Sequence, residues 1–126
     1  MINFLLDTNV IIWLSEDNPR INQVIPLLSS AESQFFISVA SWWEIAIKIR
    51  TGKLPIDFNK LRFLAKKHSF IELPVTSEYL DTYLDLPKIH KDPFDNMLLA
   101  QAITCPMRLI TGDSILAEYS SLVMFI

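Results

Sequence analysis

Short apolar runs, each stopped by an acid or a turn and each followed by a stretch of helical spacing, constrain this chain more than any other feature. Phe4-Leu5-Leu6 is broken by Asp7-Thr8-Asn9, after which Val10, Ile11 and Leu14 recur at helical intervals, the signature of a buried strand feeding a helix. Pro19 precedes a second amphipathic stretch through Ile21, Val24, Leu27 and Leu28. Phe35 to Val39 is the next strand, and Ser41-Trp42-Trp43-Glu44 opens a helix through Ile45, Lys48 and Ile49 that Gly52 and Pro55 stop. Asp57 caps a helix carrying Phe58, Leu61, Leu64, Ala65 and His68, and Phe70 to Leu73 is a strand. Thr76 or Ser77 caps a helix with Leu80, Tyr83 and Leu84, and a loop runs from Pro87 through Lys91. Asp92-Pro93 starts another helix, with proline at its first position, running through Leu98, Leu99 and Ala102. Met107 to Thr111 is a strand, Asp113 to Ala117 a short helix and Leu122 to Phe125 a last strand. Strand and helix alternate throughout, which predicts an α/β fold: a three-layer sandwich whose mostly parallel central sheet is flanked by helices.

No repeat, linker or low-complexity tract interrupts the pattern, so residues 1–126 read as one domain. With 51% hydrophobic residues and a net charge of only −3, the chain is not intrinsically disordered. The longest apolar run, Val10 to Leu14, falls far short of the ~20 residues that span a bilayer. No basic segment precedes the first apolar residues, so no signal peptide is expected. Cys105 is the only cysteine, which excludes an internal disulfide framework and a thiolate-rich zinc site and suits a reducing, cytoplasmic setting.

In parallel α/β sheets, ligands bind beyond the carboxyl ends of the strands. Asp7 follows the first strand directly and Asp113 lies just past a later one, so both are expected on one rim. Glu44 and Asp95 are placed in the first turns of two helices that begin at that rim. Four carboxylates brought together repel unless a cation sits among them, and hard divalent ions such as magnesium or manganese take carboxylate oxygens. Held there, such an ion suits phosphoester hydrolysis. Each acid also has a purely structural role open to it. Ser41-x-x-Glu44 fits a capping box, Asp95 stands third in the helix capped by Asp92, and Asp7 and Asp113 can each cap a helix.

Other residues carry less. His68 and His90 have no histidine or cysteine at ligand spacing, and Cys105 reads as buried. Trp42 and Trp43 read as packing or interface residues. Lys48, Arg50 and Lys53, and separately Lys88 and Lys91, can contact phosphates, although a solvated charged face is the commoner use of such residues.

Four ordered motifs then carry a resemblance. Phe4-Leu5-Leu6-Asp7-Thr8-Asn9, Ser38 to Ile45 with Lys48 and Gly52-Lys53-Leu54, Asp92 to Ala102, and Leu109-Ile110-Thr111-Gly112-Asp113 resemble PIN-domain nucleases over nearly the whole chain. The likeness is greatest to the toxin subunits of VapBC-type toxin–antitoxin pairs. It implies a magnesium- or manganese-dependent ribonuclease in which Asp7, Glu44, Asp95 and Asp113 form the acidic quartet. By the same resemblance Thr111 supports the site, Asn9 orients the first aspartate, and Asp92 is a helix cap rather than a ligand. Asn96 stands where these relatives usually carry arginine. A homodimer is also implied, as is an antitoxin whose tail covers the acidic site. Setting the four acids aside leaves a charge of +1, so a pI near 5.2 does not exclude RNA as substrate.

Three other readings compete. A receiver-type signalling module needs an acidic pair after the first strand and a lysine after the last, whereas Thr8 and Asn9 follow Asp7 and no lysine follows Lys91. A haloacid-dehalogenase-type phosphatase needs aspartate where Asn9 stands. A catalytically silent binding protein of the same fold would keep the pocket without the complete quartet.

Overall fold

The computed structural model of the chain describes residues 1–88 and 91–126. Ile89 and His90, in the loop expected before Asp92, lie outside the described residues. Strands β1 (Ile2–Leu6), β2 (Ser33–Ser38), β3 (Ile71–Leu73), β4 (Arg108–Thr111) and β5 (Val123–Phe125) form one sheet in the order β3-β2-β1-β4-β5. Every pairing in it is parallel, as the alternation of elements requires. The connections are α1 (Thr8–Ser15), a 3-10 helix (Pro19–Gln23), α2 (Ile25–Leu28), α3 (Val39–Arg50), α4 (Phe58–Lys67), α5 (Tyr79–Asp85), α6 (Pro93–Thr104) and α7 (Ser114–Ala117). Among the described residues, no helix is long and apolar enough to cross a membrane.

Side chains alternate across a strand, and here both faces are buried. Phe4 and Leu6 of β1 pack with Phe35 and Ile37 of β2, Ile11 of α1, Ile45 of α3 and Leu61 of α4. Leu5, between them, points the other way, into a second cluster with Leu109 of β4, Leu98, Leu99 and Ala102 of α6, and Leu116 of α7. That division produces the helix–sheet–helix sandwich expected from the sequence.

The strand order matters for function. From β1 the chain moves outward through β2 to β3, then returns to the other side of β1 for β4 and β5. The order therefore reverses between β1 and β4, and a crevice opens at such a switch point beyond the carboxyl ends of the two strands. Asp7 and Asp113 follow these strands.

Local structure departs from expectation in several places. Helix α3 begins at Val39, not Ser41, because the Ser38 hydroxyl accepts from the Ala40 amide at 3.1 Å and is the true cap. The capping box Ser41-x-x-Glu44 is therefore absent, and Glu44 sits in the second turn of α3 rather than the first. Neither Thr76 nor Ser77 caps α5 through its side chain. The residue before that helix is Glu78, with no side-chain cap, while the Thr76 carbonyl accepts from the Tyr79 amide at 3.2 Å. The amphipathic stretch after Pro19 divides into the 3-10 helix and the single turn of α2, where Pro26 stands near the start. Cys105 is half-buried, with its Sγ 3.4 Å from the Tyr79 hydroxyl.

Gly112 joins β4 to Asp113 and faces the Trp13 indole, over which the Arg20 guanidinium lies at 4.8 Å from the ring. A Cβ at position 112 would collide with Trp13 and come within 3.3 Å of Arg20. Gly112→Ala is expected to lower stability by about 1–3 kcal/mol through overpacking. Urea unfolding checks this, and trimming Trp13 to Leu in the same chain is expected to recover part of the loss.

Candidate active site

Asp7 is the most enclosed charged side chain of the rim, only 3% exposed. Its backbone leaves β1 by donating to the Ile110 carbonyl at 2.9 Å, which locks the residue against β4. Its extended φ and ψ make it the N-cap of α1, and Oδ1 accepts from the Thr8 amide at 2.6 Å. Oδ2 accepts from the Thr111 hydroxyl, also at 2.6 Å. Thr111 is fully buried at the end of β4, and its oxygen in turn accepts from the Asp113 amide at 3.0 Å. One hydroxyl thus ties the carboxylate after β1 to the turn after β4. Asp113 caps α7 by accepting from the Ile115 amide at 2.9 Å. The structural roles open to Asp7 and Asp113 are both filled, and filling them brings these residues to one rim.

Glu44 reaches the same region from α3. Its side chain is 12% exposed, and Oε2 lies 3.5 Å from the Lys48 ammonium one turn further on. Oε1 is buried and has no hydrogen-bond partner. Asp95 occupies the third position of α6, its amide donating to the Asp92 carboxylate at 3.3 Å, so Asp92 is the cap the sequence indicates. The starts of α3 and α6 meet through Trp43 and Phe94, edge to face with ring centres 5.3 Å apart. Those two rings directly precede Glu44 and Asp95 in sequence.

Burial pushes the Asp7 carboxyl up from 3.8 to about 6, and the charges of Glu44 and Asp113 add to the rise. The hydrogen bonds from Thr111 and Thr8 pull the other way without cancelling it. Glu44 and Asp113 therefore lie close enough to Asp7 for their charges to act on it. Among the described residues, no three acids, histidines or cysteines are drawn into a finished metal-ligand set. The donor chemistry nevertheless fits a hard divalent ion: carboxylate oxygens are the ligands such ions take, and Glu44 Oε1 is a buried acceptor lacking a donor.

Sequence reasoning missed Thr8 and Ser41 as a pair. Thr8 is buried and donates from Oγ1 to the Ser41 hydroxyl at 3.1 Å, joining the start of α1 to the first turn of α3. The signal was present as two polar residues at buried helix positions, but a contact between residues so far apart in sequence has no local signature. Asn9 lies exposed in the first turn of α1, and the two hydrogen bonds to the Asp7 carboxylate come from Thr8 and Thr111.

An open parallel α/β domain with carboxylates gathered at its switch point is the class that this architecture defines. Within it, the PIN domain family model matches residues 4–122, and the chain belongs to that family. It is similar to the Ribonuclease VapC22 of Mycobacterium tuberculosis, with 24% identity over 115 residues that cover 90% of this chain and 88% of the relative. In fold it is similar to VapBC2 from Rickettsia felis, solved bound to a DNA fragment from their promoter, with a TM-score of 0.76 at 13% identity. That match covers 99% of this chain and 98% of the other. A toxin–antitoxin complex from Klebsiella pneumoniae matches with a TM-score of 0.71 at 20% identity, covering 95% and 94% of the two chains.

The raised Asp7 value has a consequence for stability. The folded chain holds this proton more tightly than the unfolded chain, so the Asp7 contribution is intact below pH 3.8 and is lost as pH rises through about 6. The difference amounts to about 3 kcal/mol as an upper figure. In chelator-treated protein, Asp7→Asn is expected to gain on wild type by up to about 3 kcal/mol between pH 4 and pH 7.5, because the amide carries no buried charge. That gain stands against a constant loss of the one hydrogen bond that its nitrogen cannot accept. Urea titrations of both proteins at the two pH values measure the gain.

Proposed function

We propose that this chain is a divalent-metal-dependent endoribonuclease and the toxin of a toxin–antitoxin pair. The observation that carries the reading is the buried, protonation-prone Asp7 beside Glu44 and Asp113, a crowd of negative charge for which the protein supplies Lys48 as a nearby cation. Family membership and the ribonuclease name of the VapC22 relative support the same conclusion.

In this reading Asp7, Glu44, Asp95 and Asp113 hold magnesium or manganese. When bound, such an ion lowers the pKa of a coordinated water and offsets the charge that develops on the phosphoester. The chain's own work is orientation. Thr111 and Thr8 fix both oxygens of Asp7, and Thr111 also fixes the turn carrying Asp113. The fully buried side of Asp7 excludes water, so the charge there acts in a medium of low dielectric.

The solved toxin–antitoxin complexes of like fold support an antitoxin as partner; that its tail covers the acidic rim is part of this reading. A homodimer belongs to the same reading. Its support is an apolar groove of about 470 Å³ lined by Trp43, Val75, Leu80, Phe94 and Met97, in which Trp43 is 63% exposed in the single chain.

The purified chain is expected to cut single-stranded RNA with magnesium or manganese and to stop when the ion is chelated. Asp7→Asn and Asp95→Asn are each expected to lower the rate by roughly 100-fold or more while the fold persists, as loss of a group that stabilises developing charge does. Wild-type turnover in either variant overturns the assignment, and binding of RNA without any cleavage by wild type supports the silent binding protein instead. Light scattering at micromolar concentration is expected to give the mass of two chains, and a monomer overturns the dimer.

A further inference from the structure

Charge is distributed very unevenly along the chain. Residues 48–67 hold seven of the eleven lysines and arginines and one acid, Asp57, out of fourteen. That stretch carries +6 and the rest of the chain −9. It forms the end of α3, the following loop and α4, where Lys60, Arg62, Lys66 and Lys67 are all exposed. Arg62 and Lys66, one helical turn apart, stand on the wall of a groove of about 640 Å³ that also takes in Trp42, Val39, Phe70 and Glu72.

Three features make this groove more than a solvated basic face. Its cation is held in place: the Arg62 guanidinium lies 4.5 Å from the centre of the Phe58 ring, and Phe58 meets Trp42 edge on at 5.7 Å. Aromatic rings alternate with charge, since Trp42 and Phe70 line the space between the basic wall and the sheet. It also opens on the rim that carries the acids. Val39 is the first residue after β2, β2 is the direct neighbour of β1, and paired strands lie about 4.8 Å apart, so the groove ends one strand away from Asp7. Glu72, on the outermost strand, is the acid that lines it, on the side away from Asp7.

We propose that the groove between α4 and the β2–β3 edge binds the single-stranded RNA that leads into the acidic rim, with Arg62 and Lys66 on its phosphates and Trp42 and Phe70 against its bases. This rests on the ribonuclease reading for the identity of the strand, but binding can be measured apart from cleavage. Phosphate contacts give affinity that falls with salt, and aromatic rings tolerate any base, so the groove contributes hold rather than sequence choice.

The probe is a fluorescein-labelled RNA oligonucleotide with 2′-O-methyl riboses, which resists cleavage, titrated with the full chain at several salt concentrations. Arg62→Gln with Lys66→Gln is expected to weaken binding by roughly 10-fold or more near 0.1 M salt, and to reduce the slope of log K against log salt by about 1.4. Arg62→Lys is expected to keep the slope. With cleavable RNA the double variant is expected to raise KM and leave kcat unchanged. Arg108→Gln, an exposed cation at the start of β4 on the opposite rim, serves as control and is expected to bind as wild type. Wild-type affinity in the double variant overturns the proposal, as does an equal loss in Arg108→Gln. A polyglutamate peptide that displaces the RNA equally well, and is itself lost by the double variant, also overturns it, by making the groove a site for acidic peptides. A wild-type chain that cuts no RNA, but binds the oligonucleotide in a way the double variant abolishes, sinks the ribonuclease reading and leaves the groove standing.

Discussion

The hydrogen bond from Thr111 to Asp7 is the constraint on which the rim depends. It spans the switch point between β1 and β4, where the backbone ladder alone would leave two strand ends side by side with nothing to set their side chains. The Thr111 hydroxyl donates to Asp7 and accepts from the Asp113 amide, so its proton has one direction available. A serine there could make the same bonds, but the extra methyl of threonine restricts χ1 and suits a strand end. Gly112 completes the arrangement. Without a side chain it lets Trp13 close over the turn, and the turn then delivers Asp113 to the same edge.

Much of this arrangement is legible in the order of residues alone. Phe4-Leu5-Leu6 and Leu109-Ile110 are apolar on consecutive positions, as a strand buried on both faces requires, and two such strands followed by acids point to one rim. Helix starts are harder to read. Ser38 and Ser41 both offer a hydroxyl, and residue type alone does not distinguish them. Hydrogen bonding does: Ser38 bonds to Ala40, whereas Ser41 is taken by Thr8, a residue from another helix. Once Ser38 is the cap, Glu44 moves from the first turn into the second, where it faces inward and pairs with Lys48 instead of capping its own helix. The difference is local, and the carboxylate still arrives at the rim because its helix begins there.

Net charge is the least informative quantity. A chain at −3 reads as indifferent to RNA, yet the acids at the rim and the cations of α4 occupy different parts of the surface, and each acts at short range. In the proposed reading, a polyanion meets a basic, aromatic-lined groove whose one acid is Glu72 before it reaches the carboxylates of the rim. In that reading, separating the two signs would let one small domain attract a strand and still concentrate negative charge at the rim.

Burial of Asp7 sets the last condition. A carboxylate exposed to water would keep its ordinary pKa and cost nothing to the fold, but water would also screen it from any ion or phosphate nearby. Enclosure by β4 and α1 removes that screening and raises the pKa to about 6, so near neutral pH the folded chain carries a charge it would rather not hold. Thr111 and Thr8 offset part of the cost by donating to both oxygens, and they do so on the protein side only. Glu44 Oε1 is likewise buried and has no hydrogen-bond partner, while its other oxygen lies 3.5 Å from the Lys48 ammonium. The site is therefore built as an incomplete structure, stable enough through its two hydrophobic layers to tolerate the strain. Its unmet demand is for positive charge at one place, between the ends of β1 and β4. In the proposed reading, a divalent ion held there would satisfy that demand and would stabilise the fold by the same interaction.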